Sequence, residues 1–249
     1  MNNTEAGVAN ADEDGALPDP AGMLSSPSVE FPSGYRVGVT RYADIILRNA
    51  FPKLHADLVH VMQNFRIDVE EILSGGGSRA THTARFDASL GALGWGKRTI
   101  TIEKRLDGQL LHRTRGHEID MFGGGPSGNE YPGIALEVEW NNKDPFFDRD
   151  LLNFQALHRE GAIAAGLIVT RGPRLQQVIS STVRTSGSSG SAKFGQSTTH
   201  WDKLVPRVNL GGGGECPLIL IGIEPDRIAG FDVIARAHDA GESIWQLPL

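Results

Sequence analysis

The sequence predicts an α/β fold in which a mixed sheet is flanked by helices. Three observations carry that prediction. Continuous apolar runs at Ala162–Thr170 and Pro217–Ile223 read as strands buried on both faces. Leu54, Leu58, Val61, Phe65, Val69 and Ile72 recur at steps of three and four, which makes one apolar helical stripe. The elements read off in sequence run β-β-β-α-β-loop-β-α, a pattern that belongs to a sheet layered with helices.

Each element has its own local signal. Residues 1–35 are rich in Ala, Gly, Pro and Ser, carry no hydrophobic period and are expected to be disordered, which leaves one folded domain over residues 36–249. Residues 41–50 and 52–74 read as helices, the second started by Pro52 and stopped by Gly75-Gly76-Gly77. Thr99–Lys104 alternates, Asp107-Gly108 signals a turn, and Leu110 begins a second run, so a hairpin is expected there. The second run leads to His117-Glu118-Ile119-Asp120, and a turn containing Gly123, Gly124, Gly125 and Gly128 leads to a strand over Gly133–Trp140. A helix over Phe146–Glu160 presents Phe147, Leu151, Phe154 and His158 on one face and ends at Gly161. Residues 171–210 read as loop-rich, and Arg227–His238 as a final helix. His158, on its apolar face, is expected to be a hydrogen-bonded packing residue, Trp140 a core residue, and Cys216 inert.

Composition narrows the class. The chain is 39% hydrophobic and 22% charged, enough for a sizeable core. No apolar run approaches the ~18 residues a membrane helix needs, and the start lacks the basic-then-apolar pattern of a signal peptide. A single cysteine excludes an intramolecular disulfide, and a cytoplasmic location is expected. The glycine clusters at 75–77 and 211–214 lack the Lys-Ser/Thr of a phosphate-cradling nucleotide loop.

The net charge of −6 conceals an uneven distribution. Six of the 30 acids (Glu5, Asp12, Glu13, Asp14, Asp19, Glu30) lie in residues 1–35, which hold no Lys or Arg, so the remaining acids match the 24 bases. Within residues 171–210, Arg171, Arg174, Arg184, Lys193, Lys203 and Arg207 face only Asp202. That stretch can follow a phosphate backbone, or it can be a solvated basic loop.

The chemistry-bearing cluster is Asp120 with Glu137-Val138-Glu139. On a strand, residues two apart face one side, so Glu137 and Glu139 project together while Val138 points into the core. If the strand ending near Asp120 pairs with the next through the 123–132 turn, Asp120 approaches Glu137. Grouped carboxylates repel unless a cation lies between them, and oxygen donors of this kind suit Mg²⁺. An exposed acidic strand face gives the same i, i+2 pattern, so spacing alone does not choose between the two.

The run Glu137-Val-Glu-Trp-Asn-Asn-Lys-Asp-Pro-Phe-Phe-Asp-Arg-Asp150 is more specific. It resembles the BglII/BstYI group of restriction endonucleases, within the PD-(D/E)xK nuclease superfamily. His117–Phe122, Leu152-Asn-Phe, Leu157-His, Thr170-Arg171 and Gly195–Leu204 continue the likeness, which spans about residues 40–225. The resemblance implies a type II restriction endonuclease that cuts double-stranded DNA with Mg²⁺ as a homodimer, within a restriction-modification system. It implies Asp120, Glu137 and the Val138 carbonyl as metal ligands, with Asp120, Glu137 and Glu139 catalytic. Glu139 stands where the superfamily usually has Lys; members of this group likewise replace that Lys with an acidic or amide residue, and Glu139 is expected to orient or deprotonate water. A cognate methyltransferase acting on the same site, without binding the nuclease, also follows from the resemblance.

Recognition is expected from two segments. Asn141, Asn142 and Lys143 follow the catalytic strand, and Asn and Lys suit adenine and guanine edges in the major groove. A polar turn closed by Pro145 is the bland alternative. Lys193, Ser197, Thr198, Thr199, His200 and Lys203 form the second segment, whose hydroxyls and ammonium groups can reach bases and phosphates. The group's sites imply a six-base palindrome centred on GATC, whose two-fold symmetry a dimer would match. Three rivals remain: a repair or modified-DNA nuclease of the same superfamily, a non-catalytic DNA-binding module, and a two-carboxylate glycosidase. The last is disfavoured by few aromatics (ten Phe, four Trp, three Tyr) for sugar platforms.

Overall fold

The computed structural model describes residues 23–73, 79–125, 130–182 and 194–240. A six-stranded sheet organises the chain in the order β1-β9-β8-β7-β6-β3. Its centre is three parallel strands, β7 (Gly133–Val138), β8 (Ile163–Arg171) and β9 (Leu218–Ile223). These are the apolar runs of the sequence, now covered on both faces. Strands β1 (Tyr35–Val39) and β6 (His117–Gly123) pair antiparallel to either side, and β3 (Gly96–Ile100) closes the edge beyond β6. The mixed sheet flanked by helices stands as expected.

Alternating side chains feed two cores. Ile134, Leu136 and Val138 of β7 join one core with helices α1 (Ala43–Ala50), α2 (Pro52–Asn64), α4 (Thr81–Gly91) and α6 (Pro173–Thr182). Ala135 of the same strand joins the other core, under α5 (Phe146–Arg159) and α7 (Trp201–Asn209). The period-two alternation of one strand thus decides which helix each residue meets. α5 is the crossover from β7 to β8, and its Phe147, Leu151 and Phe154 are buried as the stripe predicted. His158 Nδ1 lies 3.0 Å from the Ile163 carbonyl, so it is the packing residue expected. Trp140 is buried, and so is Cys216, whose thiol burial pushes up to about 12.

Several boundaries differ from the sequence reading. The stripe of residues 52–74 is interrupted: α2 stops at Asn64, Ile67–Asp68 form the short strand β2, and α3 covers Val69–Leu73. All six stripe residues are nonetheless buried, because the break keeps them facing the same core. Ile67 and Asp68 pair in parallel with β10 (Ile228–Ala229), a distant strand that no local pattern reveals. β10 and a single turn at Pro225–Arg227 also delay the last helix, α8, to Phe231–Ala240. α4 has no counterpart in the sequence reading. The hairpin is real but separate from the main sheet: β4 (Glu103–Leu106) and β5 (Gln109–Arg113) turn at Asp107-Gly108, with φ of 48° and 82°, whereas Thr99 lies in β3. The loop-rich stretch 171–210 contains two helices. Pro173 opens α6 and the Glu224 carboxylate accepts the Leu175 N–H, while Trp201, Leu204, Val205 and Val208 bury one face of α7.

The disorder expected through residue 35 does not extend to residues 25–35. Ser25 and Val39 exchange two backbone hydrogen bonds of 2.8 Å, and Asp44 Oδ2 accepts the Ser28 and Val29 N–H groups. Residues 1–22 lie outside the described residues.

α5 lies close on the sheet at Gly166, where an added Cβ would fall 2.3 Å from the Phe154 ring. Gly166→Ala is expected to cost about 1–3 kcal/mol through overpacking, read as a lower urea midpoint with an unchanged slope.

Candidate active site

Glu137 and Glu139 lie at the C-terminal end of β7, on the face turned to α5. Both are buried, at 4% and 2% exposure, so they are not an exposed acidic strand face. The Glu139 backbone N–H still donates to the Val169 carbonyl (2.9 Å), which extends the parallel ladder past the last strand residue. Val138 points to the opposite core, as the alternation required.

Asp120 arrives from β6. Met121 pairs with Leu136 in the antiparallel register, which puts Asp120 opposite Glu137. The Asp120 backbone N–H makes a long contact, 3.4 Å, with Glu137 Oε1, and the two side chains also touch. Asp120 and Glu137 therefore meet as the spacing predicted, although residues 126–129 of the connecting turn lie outside the described residues.

Glu139 finds a partner outside the predicted cluster. Its carboxyl contacts that of Asp150, a buried residue of α5 that the sequence reading passed over. Asn142 Nδ2 donates to Glu139 Oε2 at 2.7 Å. Arg149 spans the pair, 2.7 Å from Asp150 Oδ1 and 3.4 Å from Glu139 Oε1, with its guanidinium 4.5 Å from the Phe146 ring centre. A signal for Asp150 was present: it falls between Phe147 and Leu151/Phe154, an acid on the apolar stripe of its own helix.

Three buried carboxyls, with half-buried Asp120 beside them, set the electrostatics. Burial pushes Glu137 up to about 10, and the charges of Asp150 and Asp120 add to the shift. Burial, then Asp150, raises Glu139. Asp150 is raised by burial, against the pull of Arg149. The acids stand as two contacting pairs, and among the described residues no group of three or more His, Cys, Asp or Glu is arranged to hold a metal ion. The donor set itself fits a hard divalent cation: it is all oxygen, it carries excess negative charge, and Asp150 Oδ2 is buried without a hydrogen-bond partner.

A cleft of about 460 Å³ opens beside this cluster, lined by Asp120, Val138, Trp140, Asn141 and Asn142 on one wall and Arg79, Ala80 and Thr83 of the α4 start on the other. Asn142 is exposed at the cleft, and the next residue, Lys143, is exposed too. The two segments expected to recognise DNA are joined to each other. Lys143 and Thr198 form a β-bridge, Thr199 N–H donates to the Asn142 carbonyl (2.8 Å) and Asp144 N–H to that of Ser197 (3.0 Å).

Only part of the second segment is accessible. Ser197 is exposed and Thr198 and Lys203 are half-buried. Thr199 and His200 are buried, at 0% and 3%, and present no exposed side chain in this structure. Burial, with the nearby Arg171 and Lys203 charges, lowers His200 to about 4, so it is neutral at pH 7. Lys193 and Arg184 lie outside the described residues. Nor do the described bases of the stretch form a continuous phosphate track. Arg171 is fully buried, Arg207 is paired with Asp144 and Asp148, and Arg174 stands 3.7 Å from Asp226.

A mixed sheet whose central parallel strand delivers buried acids to a polar cleft is the framework of a restriction-endonuclease-like nuclease. A model of the family described as restriction endonuclease BglII/BglIII matches residues 35–223, and the chain belongs to that family. It is a type II site-specific deoxyribonuclease acting on double-stranded DNA, in a family generally dependent on divalent metal. No curated protein matches the chain. No helix among the described residues is long and apolar enough to cross a membrane.

The raised carboxyls link stability to pH. A carboxyl whose folded-state pKa lies above its unfolded value stabilises the fold fully below the unfolded value, and that stabilisation is lost as pH rises toward the folded one. For Glu137 the window runs from about 4.5 to about 10. Without divalent cations the melting temperature is expected to fall between pH 5.5 and pH 8, and added Mg²⁺ to raise it more at pH 8. Melting curves in chelator, flat across this range, would contradict the assignment.

Proposed function

We propose that this enzyme hydrolyses DNA phosphodiesters with Mg²⁺ at a six-base palindrome centred on GATC, as a cytoplasmic homodimer, leaving 5′-phosphate and 3′-hydroxyl ends. The observation that carries this reading is the meeting of Asp120 with Glu137 at the end of β7, beside a cleft lined by Asn141 and Asn142. Asp120, Glu137 and the Val138 carbonyl are the proposed metal ligands. When bound there, the cation supplies Lewis-acid polarisation of the phosphate and stabilises the leaving oxygen.

The chain's own residues do the rest. Glu139 orients the attacking water and accepts its proton. It does so in its ionised form, and the Asn142 amide holds the acceptor oxygen in place. Asp150 confines Glu139 from the helix side, with Arg149 offsetting part of the pair's charge. Buried Trp140 and Val138 exclude bulk water from the strand end.

Asn141, Asn142 and Lys143 read major-groove edges, with Asn suited to adenine and Lys to guanine. Ser197, Thr198 and Lys203 contribute from the paired segment, with Lys193 alongside. Thr199 and His200 hold the backbone of that segment rather than touching DNA. Homodimer symmetry matches the palindrome, and each subunit cuts one strand. A methyltransferase of the same specificity would protect host sites without binding the nuclease.

Sequencing the ends of fragments made from a defined plasmid with Mg²⁺ tests the whole reading. Fixed ends carrying 5′-phosphate at GATC-centred sites are expected. Nicking that follows DNA structure or modification instead would replace it with a repair role. Glu137→Ala is expected to lower cleavage by at least about 10³-fold, the upper range of a single electrostatic group, while binding to the same site in chelator persists. Retained cleavage would remove Glu137 from the chemistry.

A further inference from the structure

Arg171 ends β8, and its side chain is fully buried. Among the described residues no carboxylate is paired with it, and burial alone governs its ionisation. A buried, unpaired cation weakens a core that apolar side chains would fill at no such cost. This one keeps its place through a nearly complete set of hydrogen bonds. Nε donates to the Trp140 carbonyl (3.0 Å), Nη1 to Gln176 Oε1 (2.5 Å), and Nη2 to Thr198 Oγ1 (2.6 Å) and the Thr199 carbonyl (2.8 Å). The guanidinium lies 5.9 Å from the Trp140 ring centre and 5.1 Å from that of Phe194.

These acceptors come from three separate pieces of chain. Trp140 follows Glu139 directly. Gln176 lies in α6. Thr198 and Thr199 belong to the segment whose backbone is paired with Asn142, Lys143 and Asp144. One planar fork therefore ties the exit of the acid-bearing strand to the 197–199 segment, and through that segment's backbone pairing to residues 142–144. A lysine point charge cannot match four acceptors in that plane.

We propose that Arg171 is a positioning residue for site discrimination, locking the 141–143 and 197–199 segments to the end of β7 so that correct base reading and the alignment of Glu137 and Glu139 occur together. This rests on those segments contacting DNA. Arg171 itself touches no base, so its effect is on the preference for the correct site rather than on the hydrolysis as such.

The test uses the full chain and the site mapped with the unaltered enzyme. Cleavage kcat/KM is measured on that site and on duplexes with one base pair changed, for Arg171→Lys and Gln176→Leu. Gln176 touches neither the acids nor the exposed reading residues, and its variant decides the matter if Arg171→Lys does not fold. Hydrogen exchange at the Asp144 and Thr199 amides is followed in parallel. Both variants are expected to reduce the ratio of correct to altered-site cleavage at least tenfold. Both amides should exchange faster together, while β8 and β9 stay protected. If the two cleavage rates fall in proportion with the ratio intact, or the two amides exchange independently, Arg171 is only a structural residue and the proposal is overturned. Unaltered enzyme that produces no fixed fragments overturns the DNA-reading assignment instead, and this inference with it.

Discussion

The burial of three carboxyls, Glu137, Glu139 and Asp150, beside Asp120 at one strand end is the constraint around which this molecule is built. Asp120, Glu137, Glu139 and Asp150 come from β6, β7 and α5, and no local segment brings more than two of them together. Apart from water, Glu137, Glu139 and Asp150 favour their neutral forms, and neighbouring negative charge makes them harder still to ionise. A fold gains no stability from such a cluster. Its value is chemical: a concentration of oxygen donors with raised basicity, poised for a hard cation and a water to be deprotonated.

Rigid surroundings keep that arrangement from collapsing outward. β7 is held between β6 and β8 and is buried along its whole length. α5 is pressed against β8 at Gly166, which fixes the distance from which Asp150 reaches Glu139. Arg149 offsets some of the negative charge from the helix side, yet stays half-exposed. The site therefore sits on a strand and a helix, where side-chain geometry is tighter than on loops.

The two segments proposed to read DNA are held by a second constraint, their linkage to each other. The exit of β7 and the segment before α7 share backbone hydrogen bonds, and the buried Arg171 fork fastens both. The exposed side chains Asn142, Lys143 and Ser197 stand at the surface of that unit. Thr199 and His200 stand beneath it. Residues that look alike in the sequence thus divide into those that face outward and those that hold the others in place.

Periodicity and residue type determined much of this. The parallel core strands, α5, the Asp107-Gly108 turn and the approach of Asp120 to Glu137 were all legible, because each follows from short-range geometry or from the pairing of neighbouring strands. The acids and the segments after β7 were legible too, through a run of residues specific to one nuclease family. What lay hidden depended on partners far away in the chain. The break in the 52–74 stripe answers to β10, Asp150 matters only because α5 folds back over β7, and Arg171 reads as one more base until burial removes it from the surface. Local sequence encodes which face a side chain takes on its own element; burial, charge pairing and the sharing of acceptors belong to the packed whole, since they depend on distances between elements that a linear pattern does not contain.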